Sequence, residues 1–226
     1  MGPTDVQQPL DERRIKRIRA RNNMEGRFKE MRDTPELGSR LLLWGDVVER
    51  IGAETPVALL EFGVFEGRSI RFWSTNFIAP ETRIHGFDSF TGLPEDWTGK
   101  MVKGTFSTGG STPIVDDPRV DFHRGWIQNT LPPFIKSFET APGQALVVHI
   151  DVDLYSAALF IISTLWHYVD SYYIIFDEFG VDENLAFMDF LTAYPIDFEF
   201  YSHTFNQQYN LPQQVFGRIT RTVYAV

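Results

Sequence analysis

Residues 57–69 read Val57-Ala-Leu-Leu-Glu61-Phe-Gly63-Val-Phe-Glu-Gly67-Arg-Ser69, and this stretch decides the fold. The apolar run Val57 to Leu60 suits a strand buried on both faces, as in a parallel sheet. An acid follows, then two glycines, then a helix-compatible segment from Ser69 to Phe77. This is strand, tight turn, helix. Gly63 and Gly67 can take backbone angles closed to other residues and let a ligand approach the main chain. The first turn of the helix aims free N–H groups and its positive dipole end into the same gap, which suits an anionic or carboxylate-bearing ligand. A βα turn that merely needs glycine would read the same way.

The next strand-like run, Arg83 to Phe87, ends in Asp88. An acid about 20 residues beyond the glycine turn is where nucleotide-binding α/β folds hold a ribose diol. Asp88 could instead cap its own turn, Asp88-Ser89-Phe-Thr-Gly-Leu-Pro. Taken together, the two features favour an adenosine-type ligand.

Further along, Leu37 to Ile51 reads as an amphipathic helix that packs on a sheet. Val120 to His123 suits a short strand, and Asn129-Thr-Leu-Pro-Pro a helix start. Ala145 to Ile150 and Tyr172 to Phe176 are apolar strands; Tyr155 to Val169 and Glu183 to Ala193 are helical. Ile196 to Ser202 and Gln214 to Val223 suit a closing antiparallel pair. This alternation predicts an α/β fold of three layers with a mainly parallel sheet. Residues 89–118, rich in Gly and Pro, read as a lid, because long loops in compact domains are usually functional. Residues 1–9 are expected to be disordered. The segment from Leu10 to Met31 carries Arg13, Arg14, Lys16, Arg17, Arg19 and Arg21 around Ile15 and Ile18, which suits a solvated face or a contact with a partner subunit.

Composition narrows the function. The chain has 226 residues and a formal charge of −9, which disfavours a phosphate backbone as partner. It contains no cysteine, which excludes disulfides, thiolate nucleophiles and zinc–cysteine sites. No apolar run approaches the ~20 residues of a membrane span, and the polar start lacks a secretory h-region, so a cytoplasmic protein is expected.

Two of the strands end in carboxylates, one in His149-Ile-Asp151-Val-Asp153-Leu-Tyr155 and the other in Asp177-Glu178. Ligands in open α/β sheets bind beyond the carboxyl ends of the strands, which puts these acids on the same edge as Gly63 and Asp88. Carboxylates gathered there repel one another unless a cation sits among them, and oxygen-only donors suit a hard cation such as Mg²⁺. Helix capping by Asp153 and Asp177 with surface solvation is the other reading.

The segments Glu61-Phe-Gly-Val-Phe-Glu-Gly-Arg-Ser, Gly86-Phe-Asp-Ser-Phe-Thr-Gly-Leu-Pro-Glu, Gly125-Trp with Thr130-Leu-Pro, His149-Ile-Asp-Val-Asp-Leu-Tyr and Phe176-Asp-Glu-Phe resemble, in this order, the macrocin O-methyltransferase family of class I S-adenosylmethionine-dependent enzymes. The resemblance spans roughly residues 37–220. It implies a Rossmann-like three-layer sandwich whose mainly parallel seven-stranded sheet has an antiparallel last strand, with residues 1–36 as a basic helical extension and 37–226 as the methyltransferase domain. It further implies cofactor contacts at Glu61, Gly63, Gly67, Ser69, Asp88 and Ser89, and Mg²⁺ or a similar divalent cation on Asp151, Asp177 and Glu178, with Asp151 also serving as base. The acceptor would be a hydroxyl of a small molecule, such as a sugar of a natural product. Apart from the resemblance, a homo-oligomer through the N-terminal helix is expected. Two positions depart from the family pattern: Val152 stands where glycine is frequent, and Glu178 where a second Asp is common.

Two rival functions share these features. A nicotinamide-dependent oxidoreductase also needs glycines and a ribose acid, but the Gly63/Gly67 spacing is not G-x-G-x-x-G and no Tyr-x-x-x-Lys pair follows. A binding protein that keeps the fold without turnover would hold cofactor and transfer nothing.

Overall fold

The computed structural model describes residues 12–26, 28–97 and 101–222. The disorder expected for residues 1–9, and Val223 at the end of the closing strand, lie outside that set. The elements in chain order are α1 (Glu12–Glu25), β1 (Glu36–Leu37), α2 (Arg40–Ile51), β2 (Val57–Phe62), α3 (Arg68–Asn76), β3 (Arg83–Asp88) and β4 (Val120–Arg124). Then follow α4 (Ile127–Ser137), β5 (Ala145–Ile150), α5 (Tyr155–Trp166), β6 (Ser171–Phe176), α6 (Asp182–Ala193), β7 (Ile196–Asn206) and β8 (Leu211–Arg221).

The strands form one sheet in the order β1-β7-β8-β6-β5-β2-β3-β4. Neighbours are parallel except for β8, which runs antiparallel to both β6 and β7. The expected parallel sheet with an antiparallel last strand is therefore present. The described sheet has eight strands rather than seven. The extra one, β1, pairs Glu36 and Leu37 with His203 and Thr204 of β7. Leu37 fits the apolar stripe of the following helix, which hid it in the sequence. The helix starts only at Arg40, where the Ser39 hydroxyl accepts the Leu42 N–H at 3.3 Å.

Strand period two divides the sheet between two cores. Leu60, Val148 and Ile174 face a layer containing Leu131 of α4, Ile161 of α5 and Phe187 of α6. Leu59, Val147 and Ile175 face Trp44 of α2 and Trp73 of α3. All six residues of β2 are buried: the apolar run Val57 to Leu60, as its composition implied, and with it Glu61 and Phe62. Helix α4 begins at Ile127, ahead of its expected start, and contains Pro132 and Pro133. Neither proline can donate to the carbonyl four residues back.

The basic helix α1 lies against its own chain. Ala20 and Met24 are buried, while Ile15 and Ile18, the apolar residues that stood out in the sequence, are 43% and 42% exposed. Lys16 pairs with Asp182 of α6 at 2.8 Å, and Asn23 donates to Asn184 at 2.9 Å. Arg17 covers the Tyr209 ring, and Arg21 donates to the Tyr209 carbonyl at 2.9 Å. Part of the basic face is thus engaged by α6 and the β7–β8 turn.

Candidate active site

Strand order reverses between β2 and β5, because β3 and β4 extend the sheet one way from β2 while β6 and β8 extend it the other way from β5. Ligands bind in open α/β sheets at such a switch point, beyond the carboxyl ends of the strands. A cavity of about 620 Å³ opens there. That volume is typical of small-molecule sites.

The turn after β2 and the tip of β5 touch at this point. Gly63 has φ +86°, and a Cβ placed on it would stand 1.8 Å from the Asp151 carbonyl oxygen. Gly67, at φ +74°, caps the N-terminus of α3, and a Cβ there would meet Pro113 at 2.8 Å. Both glycines of the motif are therefore required by backbone shape. Three further residues around the cavity hold left-handed angles without being glycine: Phe65 (φ 50°), Phe106 (φ 65°) and Asp153 (φ 62°). Such strain persists only where surrounding structure enforces it, and it concentrates at binding sites.

Of the expected cofactor residues, Gly63, Ser69, Asp88 and Ser89 line the cavity, together with Glu66, Arg68 and Gln128. Glu61 and Gly67 do not line it. Glu61 is fully buried beneath the turn, where it accepts the Ser69 hydroxyl at 2.8 Å. Asp88 binds the turn itself. Its Oδ2 accepts the N–H groups of Val64 at 2.9 Å and Phe65 at 2.8 Å, and its Oδ1 accepts Phe90 N–H at 2.7 Å. Of the two sequence readings of Asp88, these bonds show the turn-capping one. Of its roughly four acceptor positions about one is left for a ligand.

Behind the turn, His149 on β5 lies between two buried acids. Its Nδ1 is 3.3 Å from Glu61 Oε2, and its Nε2 is 3.6 Å from Asp177 Oδ1. The second distance is that of an ion pair, too long for a hydrogen bond. Burial works against the charged imidazole, but Asp177 and Glu61 outweigh it and push the pKa up to about 10. Protonated, Nδ1–H donates to Glu61. The Trp73 indole N–H, 3.3 Å from the same nitrogen, would be a hydrogen-bond donor only to the neutral ring.

The acids of β5 and β6 gather on the far wall. Asp151, Asp153 and Glu178 line the cavity, whereas Asp177 is fully buried behind them. Burial, then Asp177, pushes the Asp151 carboxyl well above its ordinary range. Burial, then neighbouring carboxylates, raises Asp153 to about 7 and Glu178 to about 8. Buried Glu183 of α6 clamps both strand tips, accepting Val152 N–H at 3.4 Å and Glu178 N–H at 3.1 Å.

The cation expected among these acids was a divalent metal; the positive charge that reaches them in the structure is a side chain. Nη2 of Arg40 lies 2.7 Å from Asp177 Oδ2 and 3.2 Å from Glu178 Oε1, and Gln213 donates to the other Glu178 oxygen. The Asp177 contact lacks hydrogen-bond alignment, so among the described residues neither oxygen of that buried carboxylate has a hydrogen-bond donor. Among the described residues no three His, Asp or Glu side chains form a group that could hold a metal ion. As arranged, Asp151, Asp177 and Glu178 do not fit Mg²⁺.

The described residues of 89–118, which are 89–97 and 101–118, fold back on one another, with Leu93 N–H donating to Thr105 O and Gly104 N–H to Leu93 O, each at 2.9 Å. They bring Trp97, Met101 and Phe106 to the cavity, where the Phe106 and Phe65 ring centroids are 5.5 Å apart. Trp126 also lines the wall and is 42% exposed.

Sequence reading missed Arg40, Glu183 and Gln128. Arg40 had one legible signal: a cation at the first position of a helix opposes the helix dipole.

No protein-family model and no curated protein matches the sequence. Among solved structures the chain is similar to an O-methyltransferase from Bacillus cereus in complex with SAH, with TM-score 0.52, 14% identity, and 96% of this chain and 94% of that chain covered. It is also similar to the O-methyltransferase TomG from Streptomyces achromogenes, involved in tomaymycin synthesis and in complex with SAM, with TM-score 0.50, 14% identity, and 92% and 90% covered. At such identity the likeness is one of fold, and the fold is the Rossmann-like one of these methyltransferases.

Proposed function

We propose that this chain is an S-adenosylmethionine-dependent O-methyltransferase acting on a hydroxyl of a small molecule, within or near the macrocin-type group its motifs resemble. The observation that carries the reading is the meeting of the Gly63 turn, Asp88 and the Asp151 rim around one cavity at the switch point. Gly63, Ser69, Asp88 and Ser89 are assigned to the cofactor, with the N-terminus of α3 facing its carboxylate. Glu61 and Gly67 shape that turn from behind.

When bound, the cofactor supplies an electrophilic methyl, whose C–S bond breaks with its electron pair left on sulfur as the new C–O bond forms. Asp151 takes the acceptor's proton; its raised pKa makes it a stronger base than a solvated carboxylate. Phe65, Trp97, Phe106 and Trp126 exclude water and stack against a ring-shaped acceptor. The divalent cation implied by the resemblance has no part in this scheme's proton or methyl transfer, because the Arg40 guanidinium already lies against Asp177 and Glu178.

The working unit is proposed to be a homo-oligomer with no nucleic acid or membrane partner. Exposed Leu41 and Leu42 on α2 are consistent with an interface, and light scattering checks it. Calorimetry with S-adenosylhomocysteine and with NAD tests the cofactor. Labelled-methyl transfer to a panel of sugars and catechols then tests the reaction. Tight NAD binding with none for the homocysteine product overturns the reading, and cofactor binding without transfer to any hydroxyl reduces it to a binding protein.

A further inference from the structure

The cation position of the acidic rim is the feature that the methyltransferase reading leaves unexplained. We propose that Arg40 fills this position permanently, so that the site works with a built-in guanidinium where a divalent metal would otherwise be held. The inference deepens the methyltransferase reading, and rests on it only for the consequence on transfer.

Three observations converge. Arg40 Nη2 reaches Asp177 at 2.7 Å and Glu178 at 3.2 Å, so it stands against both carboxylates at once. Arg40 does so from the first position of α2, where the helix dipole disfavours a cation, and the paired acids offset that cost. Among the described residues, fully buried Asp177 has no hydrogen-bond donor to either oxygen, and the cations that face it are Arg40 and His149. Without them an isolated buried carboxylate would be very costly.

The chemistry differs from that of a metal. Mg²⁺ needs oxygens at about 2.0–2.1 Å in octahedral array and acts as a Lewis acid. A guanidinium is a fixed charge with directional N–H donors and cannot be stripped by a chelator. Arg40 keeps 34% of its side chain exposed and lines the cavity beside Asp151. Its remaining N–H groups are therefore placed to orient an acceptor oxygen towards that carboxylate.

Mn²⁺ titration followed by electron paramagnetic resonance tests the proposal on the full chain, without and with S-adenosylhomocysteine. Wild type should show no stoichiometric Mn²⁺ binding up to about 1 mM, the range of weak oxygen-ligand sites. Arg40→Met and Arg40→Gln, checked by circular dichroism for folding, should bind Mn²⁺ at least about tenfold more tightly, since a positive charge within 3–4 Å has been removed. Stoichiometric Mn²⁺ binding by wild type overturns the proposal, and so does a folded variant that binds Mn²⁺ no better than wild type. If neither variant folds, the wild-type titration decides. Loss of homocysteine-product binding would instead count against the methyltransferase reading, because it does not depend on what occupies the rim. In labelled transfer, wild-type turnover should be unchanged by EDTA.

Discussion

Gly63→Ala tests the contact on which the site is built. The new Cβ would sit 1.8 Å from the Asp151 carbonyl oxygen and 2.7 Å from its carbon, both backbone atoms that cannot rotate aside. The tips of β2 and β5 would have to part by about 1.5 Å before the contact became tolerable, against close interior packing. The substitution also places a side chain at φ +86°. Gly143→Ala provides the matched control, with φ +80° and nothing within 4 Å of its Cβ. That variant should cost only backbone strain, about 1–2 kcal/mol, partly offset by lower entropy of the unfolded chain. Gly63→Ala should cost that amount plus the overlap, about 3 kcal/mol or more in total, in line with overpacked interiors. Urea unfolding measures both, and calorimetry with S-adenosylhomocysteine should show binding lost in Gly63→Ala and kept in Gly143→Ala. Equal stability losses in the two variants, with binding kept in both, would refute the argument that close backbone approach builds this site.

Asp151→Asn should lower methyl transfer by about 10²–10⁴-fold while leaving cofactor affinity within a few-fold, because the carboxylate is assigned to the proton and not to the cofactor; an unchanged rate removes it as base. His149→Ala should destabilise the fold by about 3–5 kcal/mol, since Glu61 and Asp177 would lose the cation between them; a loss under about 1 kcal/mol in urea melts would mean that the imidazole carries no charge. Stability should fall as pH rises from about 7 to 9, above the range in which burial of His85, His123 and His203, by lowering their pKa, works the other way. Asp153 and Glu178, raised to about 7 and 8, hold protons in the folded chain that the unfolded chain has already released, and His149, raised to about 10, loses its charge-pair contribution above the ordinary histidine range. Each group contributes a slope of at most about 1.4 kcal/mol per pH unit, and a flat or rising profile between these limits contradicts the burial assigned to them. Phe106→Ala should open the acceptor wall and raise the acceptor's KM more than it lowers kcat, as steady-state kinetics would show.

Much of the architecture was legible because periodicity and punctuation are local. The apolar runs at Val57, Ala145 and Tyr172 could only be strands covered on both faces, and their C-terminal acids had to emerge on one edge once the strands ran parallel. The turn glycines were legible too, since a strand followed at once by a helix demands backbone angles that only glycine takes freely. Helix ends were read less well, because a prolonged apolar stripe hid both β1 and the true start of α2 at Arg40, behind its Ser39 cap.

What the chain's order of residues could not reveal was which charges face each other. Arg40 is 137 positions from Asp177, and nothing in its neighbourhood distinguishes it from a solvated arginine except its place against a helix dipole. Asp88 was readable as an acid at a strand tip, but whether its oxygens serve a ligand or the turn depends on where the N–H groups of Val64 and Phe65 arrive. The buried pairing of His149 with Glu61 and Asp177 likewise exists only once three strands lie side by side. Local pattern determines which segments are strands and which end of each carries the acids. Electrostatic partnership depends on distances through space, and these are decided only when the sheet is assembled.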